Sequence, residues 1–320
     1  MRKASNIFFI GMIVILLTSA CGTKPEGETT DELSGTITIS GAFALYPMMT
    51  IWGEEFQKIH PEVEFDISGG GAGKGMTDTL SGAVDIGMVS RAIKPEEEEQ
   101  GAYYVGVVKD AVFPVVNAGN PYINEILAKG LTKETLTKIF ISGEITTWGE
   151  AIGMPEITEE IHVYTRSDAC GAADVWAQYL GGAGQDDLLG IGVNADPGLL
   201  AAVISDTLGI GYNNLGYAYD QATGVPPDGA VVAPIDADED GTVDPEELLP
   251  TLAHATEAVA SGRYPSPPAR VLNLVTDGKP SGLVQEFILW ILTDGQELVP
   301  IAGYIQLTAD QLDEGLAKIR

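Results

Sequence analysis

The chain has 320 residues, of which 45% are hydrophobic, so it is long enough for two compact units with cores of their own. Its 46 acidic and 17 basic residues give a formal charge of -29 at pH 7. Nucleic acids and anionic membrane surfaces need basic patches and are therefore excluded as partners, whereas a small anion held by local dipoles is not.

The first 20 residues have the pattern of an export signal peptide. Two basic residues precede an apolar run over 7–17, which is too short for a comfortable membrane span and is followed by small residues. Cys21 directly follows Ser19-Ala20, as in a bacterial-type lipobox, so we expect Cys21 to carry a lipid; an uncleaved N-terminal anchor is the alternative. Residues 21–34 predict a flexible spacer. The protein would then be extracytoplasmic, with the lipid as its only contact with the cell membrane.

Strand and helix patterns alternate in the next part of the chain. Strands are predicted at 36–39, 63–67 and 84–89, with a helix between each pair, and this spacing predicts a parallel sheet with right-handed crossovers. The glycine run at 69–73 could indicate a nucleotide P-loop, but the residues that a P-loop needs around Lys74 are absent, so we reject this hypothesis. The alternative interpretation, a glycine-rich helix start whose backbone approaches an anion, is kept.

The rest of the chain predicts a second α/β unit and a return to the first. Two strands broken at Asp110 are predicted over 103–117, and Thr132 is the predicted N-cap of a helix early in the second unit. The predicted division places 35–117 and 265–320 in lobe 1 and 118–264 in lobe 2. The predicted fold class is therefore α/β, with two lobes, a hinge and a ligand cleft between the lobes.

The segment 166–173 follows a short strand and opens a helix that extends to about residue 180. Its small residues leave backbone N–H groups directed at one point, the helix dipole adds positive potential there, and Arg166 adds a cation that Asp168 can orient. An ordinary capped helix start is the alternative for this segment alone. Turns at Ser40, Gly71, Asp85 and Arg166 would surround the cleft.

Several separated motifs occur in an order that resembles the phosphate-binding proteins of Pst-type ABC transporters, which have the type II periplasmic-binding-protein fold. They are LTKETLTKIF at 131–140, GEITTW at 143–148, GIGY at 209–212, GQ at 295–296 and GY at 303–304, together with AVDIG at 83–87 and RSDACG at 166–171. The resemblance covers roughly residues 35–320. It implies a binding protein without catalytic activity that captures an oxyanion, with phosphate expected first, and delivers it to an ABC permease.

The resemblance also implies the ligand-binding positions, which are Ala42, Phe43, Gly71, Ala72, Asp85, Arg166, Cys170, Gly171 and Ala172. Asp85 would select a protonated oxyanion, because a carboxylate can only accept hydrogen bonds. The family usually has hydroxyls at Ala42 or Phe43 and at Ala72, Cys170 and Ala172. Losing three or four such donors would cost on the order of 5–10 kcal/mol, whereas micromolar binding is worth only about 8 kcal/mol.

Three readings therefore stay open. Neighbouring serines at 40, 68, 90 and 167 could replace the missing donors. The chain could instead be a surface or sensory module that has lost or changed its ligand. As a minor alternative, Cys170 at a helix N-terminus beside Arg166 could have a lowered pKa and act as a nucleophile.

Residues 236–247 match the twelve-residue EF-hand calcium loop. The expected ligands are Asp236, Asp238, Asp240, Thr242 through its carbonyl, Asp244 and Glu247, with Gly241 at the sharp turn. A helix is predicted from 245 to about 260, but a strand at 231–235 precedes the loop. We expect a single calcium ion with a structural role; an acidic solvated turn is the alternative.

Overall fold

A mixed sheet of nine strands organises the protein in the computed structural model, which describes residues 33–320. The predicted export signal and Cys21 lie outside the described residues. The strands are β1 (Gly35–Gly41), β2 (Val63–Gly69), β3 (Ile86–Val89), β4 (Ala102–Asn117), β5 (His162–Arg166), β6 (Ile191–Val193), β7 (Gly209–Asn214), β8 (Ala230–Val232) and β9 (Ala269–Asp277). Their order is β2-β1-β3-β9-β4-β7-β5-β6, and β8 also pairs with β4.

Helices cover the sheet and connect its strands. They are α1 (Tyr46–Ile59), α2 (Ala72–Leu80), α3 (Pro95–Glu99), α4 (Ile123–Lys129), α5 (Lys133–Thr137), α6 (Trp148–Ala151), α7 (Gly171–Tyr179), α8 (Ala195–Ser205), α9 (Leu215–Ala218), α10 (Leu252–Ser261), α11 (Gly282–Ile291), α12 (Leu298–Ile301) and α13 (Ala309–Ile319). No helix within residues 33–320 is both long enough and apolar enough to cross a membrane.

The first three strands confirm the predicted parallel arrangement. β1 lies between β2 and β3, and Ile39 of β1 is opposite Ile67 and Ile86. Because the carboxyl ends of parallel strands lie at one edge, the loops after these three strands are brought together.

The predicted strand break at Asp110 is wrong. β4 continues through this position, pairing with β9 from Ala102 to Ala111 and with β7 from Val112 to Val116. Its ladder shifts between Gly106 and Val108 instead. The strand tolerates the buried aspartate because Arg270 of β9 pairs with it.

Two hydrophobic clusters divide the described chain into a first and a second lobe. The first cluster contains Trp52 and residues of β1–β3. The second contains Trp176 and residues of β7, and Val163 of β5 packs against it. β4 passes from the first cluster to the second between Val108 and Ala111, and β9 passes from the second to the first between Ala269 and Leu272. The division therefore falls inside two antiparallel strands that cross both lobes, and not at 117/118 and 264/265 as the sequence patterns predict.

Candidate functional site

The loops after β1, β2, β3 and β5 meet where the two lobes touch. The N–H of Gly73 in the first lobe donates to the carbonyl of Ala169 in the second at 3.2 Å. A Cβ atom added to Gly71 would lie 2.5 Å from that same carbonyl oxygen, and one added to Gly171 would lie 2.5 Å from the carbonyl oxygen of Ser90. Backbone approaches this close require glycine, so these residues form the contact between the lobes.

Backbone N–H groups without acceptors are concentrated at this contact. The helices α2 and α7 begin here, after Gly71 and Cys170, and the first N–H groups of a helix have no partner inside it. Within residues 33–320, the N–H groups of Phe43, Ala72, Gly171 and Ala172 donate to no protein acceptor. The contact therefore offers donors and positive dipole ends that can bind an anion.

Arg166 is buried at this contact, and its charge is already neutralised. Its Nε donates to Asp168 Oδ1 at 2.8 Å, and its Nη1 donates to the buried Asp196. Its guanidinium carbon lies 5.6 Å from the centre of the Phe43 ring. Burial alone would raise the pKa of the Asp168 carboxyl, but Arg166 and the N–H of Ala195 hold it below its usual value. Two carboxylates thus compensate one guanidinium before any solute arrives.

A buried polar network that no sequence pattern predicted continues from Arg166. Asp196 Oδ1 accepts from Asn214 Nδ2 at 2.6 Å, and Asn214 in turn accepts from Arg270. Arg270 Nη2 also pairs with Asp110 Oδ2 at 3.1 Å, while its Nε and Nη1 are buried without an acceptor among the described residues. Burial raises the pKa of Asp110 to about 6, against the opposing effect of Arg270. These residues are spread over the chain from 110 to 270, so no local motif marks them.

A second buried cation lies beside the contact. Arg91 follows Ser90 and is held by Glu97, with nitrogen–oxygen distances of 2.6 and 2.9 Å. Its Nε is also 3.5 Å from Asp174 of α7. Arg91 therefore links the first lobe to the second through its ion pair with Asp174. Like Arg166, it is already compensated by carboxylates of the protein.

Asp85 does not join this group, which corrects the role that the resemblance implied for it. Its carboxylate is exposed and accepts hydrogen bonds from the N–H and the hydroxyl of Thr38, at 2.8 and 2.7 Å. It precedes β3, whereas the contact begins at Ser90 after β3, about 16 Å further along an extended chain. The amino and carboxyl ends of a strand lie at opposite edges of a sheet, so Asp85 is at the wrong edge.

The acidic loop lies in the second lobe, away from this contact. One carboxylate oxygen from each of Asp236, Asp238 and Asp240 lies within 4.8 Å of the others. Glu247 accepts hydrogen bonds from two N–H groups of the loop, and the hydroxyl of Thr242 donates to Asp240 at 2.6 Å.

The predicted helix from 245 is wrong in its start. α10 begins at Leu252, where Thr251 provides the N-cap, because Pro250 disfavours a helical conformation at the residue before it.

A family model described as the PBP superfamily domain matches residues 26–295. The chain belongs to the PBP superfamily. It is 28% identical to the phosphate-binding protein PstS of Bacillus subtilis, over 96% of each chain. It is also 28% identical to the phosphate-binding protein PstS of Methanocaldococcus jannaschii, over 95% of this chain and 91% of that one.

Solved structures confirm the PBP-like α/β fold. A putative phosphate ABC transporter substrate-binding protein with bound phosphate from Clostridium perfringens superimposes with a TM-score of 0.67 at 23% identity, covering 86% of this chain and 100% of that one. An ABC-type phosphate transport receptor from Vibrio cholerae gives a TM-score of 0.62 at 22% identity, covering 85% of this chain and 100% of that one.

In this PBP superfamily chain, Cys170 does not have the environment of a nucleophile. Burial raises the pKa of its thiol to about 12, although Arg166 acts in the opposite direction. The lowered pKa expected from the helix N-terminus is therefore wrong, because desolvation outweighs the cation when two carboxylates already neutralise it.

The serines that could replace the missing hydroxyls are not equivalent. Ser40 donates to Asp78 at 2.7 Å, Ser68 donates to a backbone carbonyl at 3.4 Å, and Ser167 is exposed. Ser90 is buried beside Gly171 at the contact between the lobes. Of the four, Ser90 is the hydroxyl best placed to face a solute there.

Proposed function

We propose that this protein is an extracytoplasmic solute-binding protein that captures an oxyanion, with phosphate first, and delivers it to an ABC permease. The phosphate-binding relatives that match nearly the whole chain support this proposal. The observation that carries it is the group of unpartnered N–H groups of Phe43, Ala72, Gly171 and Ala172 at the contact between the lobes. A solute bound there would contact both lobes and favour their closure. No step of this function requires catalysis.

Backbone donors would supply most of the binding free energy. A hydrogen bond to a charged group contributes roughly 1.5–3 kcal/mol, so four N–H groups would contribute roughly 6–12 kcal/mol before the cost of desolvating the solute. Micromolar affinity requires about 8 kcal/mol in total. Oxyanion binding is therefore energetically feasible without the side-chain hydroxyls, but it leaves little surplus.

The local charges oppose a highly charged solute. Arg166 and Arg270 face three buried or half-buried carboxylates, those of Asp110, Asp168 and Asp196. With Asp110 ionised, the sum is 2 - 3 = -1. We therefore expect the protein to prefer a singly charged oxyanion over a doubly charged one, with weaker affinity than a site containing a free arginine would give.

Calorimetric titration of the purified, solute-free protein with phosphate, arsenate, sulfate, molybdate and tungstate tests the proposal. We expect heat with phosphate and arsenate, and stronger binding near pH 6 than near pH 8, where more phosphate is doubly charged. Absence of binding by all five anions would refute the oxyanion proposal.

The second candidate is a surface or sensory module with a changed ligand. The residue types at Ala42, Ala72, Cys170 and Ala172 favour it, because none of these side chains carries a hydroxyl. A pull-down of the permease subunits would separate the two candidates, because a transport protein should bind a permease and a sensory module should not.

Two finer parts of the proposal concern attachment and a second ligand. A lipid on Cys21 would anchor the mature chain, and mass spectrometry of the N-terminal peptide tests this: an unmodified residue 21 would contradict it. Calcium at the loop 236–247 would have a structural role that is independent of the solute.

A further inference from the structure

A buried carboxylate oxygen without a partner lies at the beginning of the acidic loop 236–247. Asp236 is 1% exposed. Its Oδ2 accepts a hydrogen bond from the N–H of Gly241 at 3.0 Å, but its Oδ1 is buried and has no donor among the described residues. An ionised carboxylate in this state is unfavourable unless a cation compensates it.

No side-chain cation of the described residues supplies this compensation. The ion pairs within residues 33–320 include none of the seven acidic side chains of the loop, and residues 236–247 contain no lysine, arginine or histidine. The carboxylates of Asp238 and Asp240 approach that of Asp236 to within 4.8 Å, which adds repulsion. Three carboxylates that approach one another, one of which has a buried, unpartnered oxygen, form an arrangement that a bound cation would stabilise.

We propose that Asp236, Asp238 and Asp240 bind a divalent cation, with calcium preferred. Calcium takes six to eight oxygen ligands, and the loop can add the carbonyl of Thr242 and the carboxylates of Asp244 and Glu247. Glu247 accepts hydrogen bonds from the N–H groups of Ala237 and Asp244, at 2.6 and 3.0 Å, so its carboxylate lies against the loop. Magnesium is less suitable, because it demands a small octahedral site and retains several waters.

The surroundings of the loop assign the ion a structural role. The N–H of Val243 donates to the carbonyl of Ala128 at 3.0 Å, and Asp236 packs closely against Gly130 at the end of α4. β8 ends four residues before Asp236. The ion would therefore fix the segment after β8 against the end of α4. A sensor EF-hand works by moving the two helices that flank its loop, but here a strand precedes the loop and α10 begins five residues after it.

Thermal melting of the purified protein, stripped with EDTA and kept in phosphate-free buffer, tests the proposal. We expect calcium to raise the melting temperature in a saturable way with half-saturation at or below about 1 mM, and magnesium at the same concentration to have a smaller effect. Phosphate-free buffer separates this test from the solute site, so a failure here leaves the transport proposal untouched.

Two variants identify the site. Asp236→Asn removes the charge on the buried oxygen, and we expect it to abolish the calcium shift while melting in EDTA at least as high as the unaltered protein. Glu246→Gln is the matched control, because it removes one charge from the same loop at a side chain outside the converging three; we expect it to keep the calcium shift.

The result that overturns the proposal is either no calcium shift in the unaltered protein or an undiminished shift in Asp236→Asn. A shift lost equally in Glu246→Gln would also overturn it, since that would indicate general screening of an acidic surface.

Discussion

A single methyl group at Gly171 is expected to hold the two lobes apart. The added Cβ would lie 2.5 Å from the carbonyl oxygen of Ser90, whereas real Cβ atoms essentially never approach closer than 3.0 Å, so the two segments must separate by at least 3.0 - 2.5 = 0.5 Å. Overpacking of this kind costs about 1–3 kcal/mol. Because the cost falls on the closed state, Gly171→Ala should lower solute affinity by about 5- to 150-fold.

Calorimetry with the oxyanion that binds the unaltered protein measures this loss, and small-angle scattering should show a larger radius of gyration for Gly171→Ala. Gly184→Ala is the matched control: Gly184 has an extended backbone, with φ of -177°, and its added Cβ would lie 3.4 Å from Asp174. If Gly171→Ala binds and scatters like Gly184→Ala, the lobes do not close through the Gly171–Ser90 contact and the reasoning is wrong.

Two further predictions follow from buried groups. Burial raises the pKa of Asp110 from its ordinary 3.8 to about 6 in the folded protein. The folded state therefore holds this proton more tightly than the unfolded state, and the resulting stabilisation is present below pH 3.8 and is lost as pH rises through 6. The pKa difference corresponds to about 3 kcal/mol in the free energy of unfolding. Urea unfolding at pH 3.5 and 7 should show the unaltered protein losing about this much relative to Asp110→Asn, and an unchanged difference between the two would contradict the shift. Cys170 should resist iodoacetamide at pH 7.5 when folded and react fully in urea, because burial raises its pKa to about 12. Rapid labelling of the folded protein would contradict this and favour a reactive thiol.

Local sequence patterns correctly predicted the strands and the helix cap that depend on neighbouring residues. The three parallel strands were placed correctly between 35 and 89, because each apolar run is bounded by glycine or polar turns and their spacing requires crossover helices. The N-cap at Thr132 was also found, and its hydroxyl accepts from the N–H of Thr135 at 3.0 Å. Where the pattern was ambiguous it failed, as at Asp110, because a charged residue inside a strand depends on a distant partner.

The candidate site shows the same limit. A motif located Arg166 and its orienting Asp168, which are two residues apart in the chain. Asp196, Asn214 and Arg270 could not be found in this way, since only the fold brings them to Arg166. Asp85 was assigned by position within a motif, but the edge of the sheet on which a residue lies is a property of the assembled strand.

Some properties of the turn at Arg166 follow from the local sequence, and others follow only from the tertiary structure. The sequence by itself determined the α/β class, the helix start after β5 beside Arg166 and the spacing of the acidic loop, because strand and helix periods, small residues and acidic side chains are local features. The tertiary structure alone decided that two carboxylates neutralise Arg166, that burial raises the pKa of the Cys170 thiol and that Asp236 has an unpartnered carboxylate oxygen. Charge compensation and desolvation depend on which distant residues come into contact, and therefore they appear only when the chain is folded.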